Sequence, residues 1–159
     1  MSKLQEKYLY SAIVIANTFL LAGCGDKTES TKDQCQRFTQ VMQTVVDENQ
    51  KLKQSSKFDK ETLTKFINIS QKAAKIIKNQ PQFNDKSLVN FQSKFINLYN
   101  KYTVAGSNIL KPAKIDINTD NRYSSLNIIK LSIPEEQNLL ISFNDYCKPH
   151  GFKINNVAP

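Results

Sequence analysis

Residues 88–109 read LVNFQSKFINLYNKYTVAGSNI, and the spacing of their apolar side chains decides the fold. Leu88, Phe91, Phe95, Leu98, Tyr102, Ala105 and Ile109 follow one another at alternating steps of 3 and 4, with Ile96 and Tyr99 on the flanks. Only a helix brings such positions onto one stripe, so the spacing predicts a helix with a buried face. Asn84 or Asp85 is placed to cap its start, and Lys111-Pro112 to end it. The aromatic row Phe91, Phe95, Tyr99 and Tyr102 is expected to be core. Its alternative reading is the lining of a ligand cavity or an interaction surface.

The same period recurs upstream. Leu63, Phe66, Ile67, Ser70, Ala73, Ala74 and Ile77 mark a helix with Asp59 as N-cap and Glu61 in its first turn, closed by Asn79-Gln80-Pro81. Before it, Cys35, Phe38, Met42, Val45, Asn49 and Leu52 predict a helix from about Asp33 to Gln54, with Val41 and Val46 beside the stripe. Asn49 interrupts that stripe and is expected to be a hydrogen-bonded core amide. Ser55, Ser56 and Lys57 make the turn between the two, and Ala113 to Thr119 a loop.

Residues 120–147 are ambiguous. Leu126, Ile128, Ile129, Leu131 and Ile133 partly alternate as in a strand, whereas Tyr123, Leu126, Ile129 and Ile133 mark a helical stripe; helix is preferred because one short strand would lack a partner. Pro134 should kink or split it, with Ser132 and Glu135 spaced as a capping box for a restart. Leu139, Leu140, Phe143 and Cys147 form the last stripe. The expected fold is all-α: an antiparallel up-down four-helix bundle, its fourth helix kinked or split.

The amino terminus carries a different signal. Lys3 and Lys7 precede an apolar run from Tyr8 to Leu21, which ends in Leu21-Ala22-Gly23-Cys24. A charged start, a run too short for a comfortable span and two small residues before a cysteine are the layout of a lipoprotein signal peptide. Residues 1–23 are then expected to be removed and Cys24 to carry the lipid, a membrane anchor held by about 0.8 kcal/mol per buried methylene. Residues 24–32 read as lipidated cysteine and flexible tether, 33–148 as the helical domain and 149–159 as a tail. The tether keeps the domain within roughly 30 Å of the bilayer.

Cys24 aside, Cys35 and Cys147 remain, and an isolated pair in an oxidising compartment predicts a disulfide. Closing so long a loop stabilises by about 4 to 5 kcal/mol on the chain-entropy estimate. Two free thiols with a redox role are the alternative. In an up-down bundle the start of the first helix and the end of the fourth share one end, so pairing and topology support each other.

The chain of 159 residues carries net charge +8; Lys3, Lys7 and Glu6 account for one of these, leaving +7 from Cys24 onward. Such a balance favours anionic surfaces. The lysines fall singly along the helices without interleaved aromatics, so a nucleic-acid partner is not expected.

A lipobox, a short polar tether, a cysteine opening the first helix, Phe91-Gln-Ser-Lys-Phe95 in the third and Asn144-Asp145-Tyr146-Cys147 closing the last resemble a group of cyanobacterial helical lipoproteins. That group has no assigned activity, so the resemblance implies a compartment, the periplasmic face or the thylakoid lumen, and no chemistry. The layout is also similar to four-helix lipoproteins that dock on the lumenal side of photosystem II, without a residue-level match.

Catalytic and metal signatures are missing from the sequence. The single histidine, His150, lies beside Pro149 and Gly151 and is expected to be an exposed loop residue. Four glycines form no phosphate-cradling loop. Asp47-Glu48 and Glu135-Glu136 read as solvated charges. The expectation is therefore a non-enzymatic, exported, membrane-anchored lipoprotein with no cofactor and no metal, acting as an interaction or accessory module for a protein partner. A carrier of a small apolar ligand is the alternative.

Overall fold

The computed structural model describes residues 29–54, 59–112 and 120–157. They form four helices, α1 (Thr31–Gln54), α2 (Lys60–Lys78), α3 (Lys86–Leu110) and α4 (Arg122–Cys147), and a 3-10 turn at Lys148–His150. The fold is all-α, with no strand among the described residues. The expected lipobox at Leu21–Cys24, the expected turn at Ser55–Lys57 and the expected loop at Ala113–Thr119 lie outside them.

Each helix starts where a short polar side chain can take up its first amides. Ser30 caps α1: its Oγ accepts from the Asp33 amide at 3.2 Å while its hydroxyl donates to Asp33 Oδ2 at 2.6 Å. The helix thus begins at Thr31, two residues before the expected Asp33. Asp59 accepts from the Thr62 amide at 2.8 Å to start α2, and Asp85 from Ser87 and Leu88 to start α3. Asn121, at the N-cap of α4, makes no side-chain cap; Asp120 Oδ1 accepts from the Arg122 amide instead.

Neighbouring helices pair in opposite sense. Glu48 meets Lys72 and Arg37 reaches the Pro81 carbonyl across α1 and α2. Phe66 meets Tyr102, and Gln92 reaches the Ile77 carbonyl, across α2 and α3. Phe91 meets Tyr146, and Tyr99 meets Glu136, across α3 and α4. Cys35 and Cys147 are joined by a disulfide with Cα atoms 5.6 Å apart, which fixes the start of α1 to the end of α4. The stripes of α1, α2 and α3 supply the core, from Phe38 and Met42 through Ile77 to Phe95, Leu98 and Tyr102.

Gly106 on α3 permits a close approach to α2. A Cβ there would stand 2.6 Å from Ile67 Cγ1, so the hydrogen is what lets α2 and α3 touch.

α4 departs from expectation twice. It is neither split nor restarted at Ser132, but runs as one helix through Pro134. Pro134 is exposed, so the carbonyl whose helical bond it removes faces water, while packing on both sides of it holds the turns together. Continuity then fixes the second departure. Phe143 and Cys147 are pinned inside, and stepping back from them by 3 or 4 gives Leu140, Glu136, Ser132, Ile129 and Ser125 as the inner line. Ser125 and Ser132 are buried, whereas Tyr123, Leu131 and Ile133 are 68%, 63% and 46% exposed and Leu126 and Ile128 are exposed as well. The stripe Tyr123, Leu126, Ile129, Ile133 is therefore not the buried face; only Ile129 packs against the core.

Candidate functional site

The aromatic row of α3 is built into the core. Phe95, Tyr99 and Tyr102 are buried and Phe91 is half-buried. Phe91 and Phe95 both contact Phe143 edge-on, and Phe38 sits among Phe83, Phe95 and Phe143 with centroids 5.0, 6.0 and 5.2 Å away. Edge-to-face rings of this kind interlock rather than enclose space.

Two of the row carry hydroxyls, and both find the same acceptor. Tyr99 donates to Glu136 Oε1 at 2.7 Å and Tyr102 to Oε2 at 3.1 Å. Burial first, then the Glu136 charge and the hydrogen bond to it, push both phenols far above their ordinary range, so they stay protonated donors. Glu136 is therefore no solvated charge, in contrast to Glu135, which pairs with Lys101 at the surface. The sequence carried a hint: buried tyrosines at positions 99 and 102 share a helix face and each needs a partner for its hydroxyl.

At the disulfide end the polar groups form a closed network. Gln34, fully buried, accepts from the Asn84 and Asp85 amides at 2.9 and 3.1 Å and donates to the Glu29 carbonyl at 2.7 Å and to Asn84 Oδ1. Asp85 caps α3 and also accepts from Tyr146 at 2.8 Å and Thr31 at 3.2 Å, joining three helices. Burial pushes its carboxyl up, but the hydrogen bonds from Tyr146, Leu88, Thr31 and Ser87 outweigh this and lower it below the ordinary carboxylate value. Arg37 pairs with Glu29 and lies 4.3 Å over the Phe83 ring. Both cysteines are fully buried, which keeps the sulfurs from reagents in solution. His150 is half-buried beside the Tyr146 ring, 6.3 Å away, rather than exposed.

The third feature is the seam between α1 and α4. Near the disulfide, Phe38 and Phe143 close it. Beyond them the tail lies in it: after a left-handed Gly151 (φ 92°) the chain runs along the seam with Ile154 buried. Asn144 grips Ile154 on both sides, accepting from its amide at 2.7 Å and donating to its carbonyl at 3.0 Å. Gln43 accepts from the Asn155 amide and Gln50 donates to the Asn156 carbonyl. The described part of the tail, to Val157, is thus packed against the domain.

Beside Asn156 and Val157 the seam holds a cavity of about 170 Å³. Its floor includes Phe66, Tyr102 and Ile129, and Asn49, Leu52, Ile133, Glu136 and Gln137 stand around it. Asn49 is half-buried on this wall and not a core amide. A second, more open groove of about 530 Å³ lies between α1 and α2, over Leu52 and Ile69 with Lys51, Lys65 and Lys72 at its rim.

Among the described residues no group of three or more His, Cys, Asp or Glu side chains is arranged to hold a metal ion. No helix among them is long and apolar enough to cross a membrane. The chain matches no known protein family, curated protein or solved structure. Of the sequence-derived site residues, Cys35 and Cys147 are brought together, Phe95, Tyr99 and Tyr102 are core, and Cys24 lies outside the described residues. Periodicity could not find Phe83, between helices, or Ile154, in the tail, though both are buried.

Proposed function

We propose that the protein is an exported lipoprotein, anchored to a membrane through Cys24, whose rigid helical domain serves as a non-enzymatic docking module for a protein of a membrane or envelope complex. The observation that carries this reading is the buried Cys35–Cys147 disulfide. Such bonds form and persist in oxidising compartments outside the reducing cytoplasm, which agrees with the signal layout ending in Leu21-Ala22-Gly23-Cys24. Cys35 lies near the start of α1, so with the tether before it the domain would stand on the membrane by its disulfide-linked end. A cyanobacterial origin, with a periplasmic or lumenal location, belongs to the same proposal.

Intact mass spectrometry of protein extracted from its native membrane tests it. The expected mass is that of residues 24–159 plus acyl chains, with no alkylation before reduction under denaturing conditions. Cys24→Ala should leave unprocessed precursor or release the protein from membranes; unchanged processing and attachment would refute the anchor.

The alternative, a carrier of a small apolar ligand, is favoured only by the cavity beside Tyr102. Phe91, Phe95 and Tyr99 are engaged in ring contacts, and the volume suits a ligand of only a few heavy atoms.

A further inference from the structure

α3 carries a surface of one sign. From Lys86 to Lys111 there is no aspartate or glutamate, and Lys86, Lys94, Lys101 and Lys111 are all exposed. With about 3.6 residues per turn the four fall within about 100° of one another around the helix. That side is turned away from Gln92 and Gly106, which face α2. On the adjoining side of α4 stand Glu135, paired with Lys101 at 2.7 Å, and Asp145, so four lysines meet two carboxylates.

Among these charges runs an apolar ridge. The Lys101–Glu135 pair sets the register of the two antiparallel helices. One turn from it, away from the disulfide, come Val104 and Leu131, 62% and 63% exposed, with Ile128 a turn beyond at 39%. Aliphatic side chains rimmed by lysine suit an anionic lipid surface: the carbon enters the acyl boundary while the ammonium groups stay with the phosphates. The same lysines oppose a second copy, since twofold pairing would set like charges against each other.

The chain enters the domain at one edge of this face. Asn84, directly before the Asp85 cap of α3, donates to the Glu29 carbonyl at 3.2 Å. Cys24 precedes Glu29 by five residues, at most about 18 Å of chain. A lipid on Cys24 would therefore keep a bilayer within reach of Lys86 at all times.

We propose that the α3–α4 face lies on an anionic lipid surface, with Val104, Ile128 and Leu131 at the acyl boundary and Lys86, Lys94 and Lys111 on the headgroup phosphates. The proposal rests on the anchored-lipoprotein reading and deepens it. The anchor brings the disulfide-linked end to the bilayer, and the domain leans over from that end until α3 and α4 meet the surface. α1 and α2 are left for a protein partner.

The test is methyl NMR of the lipidated protein in nanodiscs that carry a nitroxide headgroup lipid, made either of phosphatidylcholine alone or of equal parts phosphatidylcholine and phosphatidylglycerol. In the anionic discs the methyls of Val104, Ile128 and Leu131 should broaden and those of Ile69, on α2, should not; in neutral discs the contrast should fade. Lys94→Gln should shift the balance from docked to free domain about fivefold and Val104→Asp about tenfold, both at exposed positions and with the protein still on its disc. Three results overturn the proposal. One is no contrast between Val104 and Ile69 in anionic discs, which would leave this face to a protein. Another is an equal contrast in neutral discs, meaning that lipid charge plays no part. The third is pairing of two copies on one disc that Leu131→Asp abolishes, meaning that a second copy covers the ridge. Co-migration with neutral discs reports the anchor alone, so the anchor can fail while added anionic discs still bind the face, and the face can fail while the anchor holds.

Discussion

The two halves of α4 obey opposite rules. From Leu140 to Cys147 its apolar residues turn inward, the sulfur is bonded and Tyr146 reaches Asp85. From Arg122 to Ile133 two serines are buried and Tyr123, Leu131 and Ile133 face outward. One helix carries both because a continuous helix has one rotational phase, and the disulfide end sets it. The lesson is that burial along α4 follows a constraint at residue 147 and not the local sequence.

Removing that constraint should have the largest effect. Cys35→Ala with Cys147→Ala should lower stability by about 4 to 5 kcal/mol in chemical denaturation. Phe38→Ala, which removes the ring packed among Phe83, Phe95 and Phe143, should lose about 3 to 5 kcal/mol, while Leu131→Ser, in the outward half, should stay within about 0.5 kcal/mol of the parent. Comparable losses for Phe38→Ala and Leu131→Ser would break the contrast between the halves.

The junction of the halves is Glu136. Glu136→Leu strands two phenol hydroxyls and should cost about 1 to 3 kcal/mol for each, a loss largely recovered by adding Tyr99→Phe and Tyr102→Phe. The same pair predicts an alkaline limit. Both phenols are raised above the ordinary value of 10.0, so the fold holds protons there that the unfolded chain releases. Stability should be intact below about pH 10 and fall as pH rises beyond it, with ultraviolet titration showing two tyrosines that ionise only on unfolding.

On the acid side the sign reverses. Asp85 is lowered from 3.8, so its contribution is present above that value and is lost as pH falls through its folded value. Asp85→Ala should cost about 1 kcal/mol through the lost cap near neutral pH and flatten the acid limb of a pH–stability curve. Gly106→Ala on α3 should have an effect of similar size: the crowding against Ile67 should outweigh the better helix propensity and leave a net loss of about 1 kcal/mol, read as a lower melting temperature.

Much of this was legible in the residues. Leu88 to Ile109 and Leu63 to Ile77 gave α3 and α2 with their caps, because a 3.6-residue period and an Asp before it are local signals. The pairing of Cys35 with Cys147 followed from counting. The inner face of α4 did not, since its phase is imposed from the far end through Pro134. Nor did Ile154 or the seam, which depend on a non-periodic tail finding amides on two helices. Glu136 beside Glu135 looked like solvent charge until the register of α3 against α4 placed it under two tyrosines.

The bond between Cys35 and Cys147 also gives the domain a mechanical shortcut. A pull applied between Glu29 and Val157 passes from the start of α1 to the end of α4 through one sulfur–sulfur link, and the helices between bear little of the load. For the same reason a protease cut anywhere from residue 36 to 146 leaves two fragments that still travel as one molecule until a reductant reaches the core.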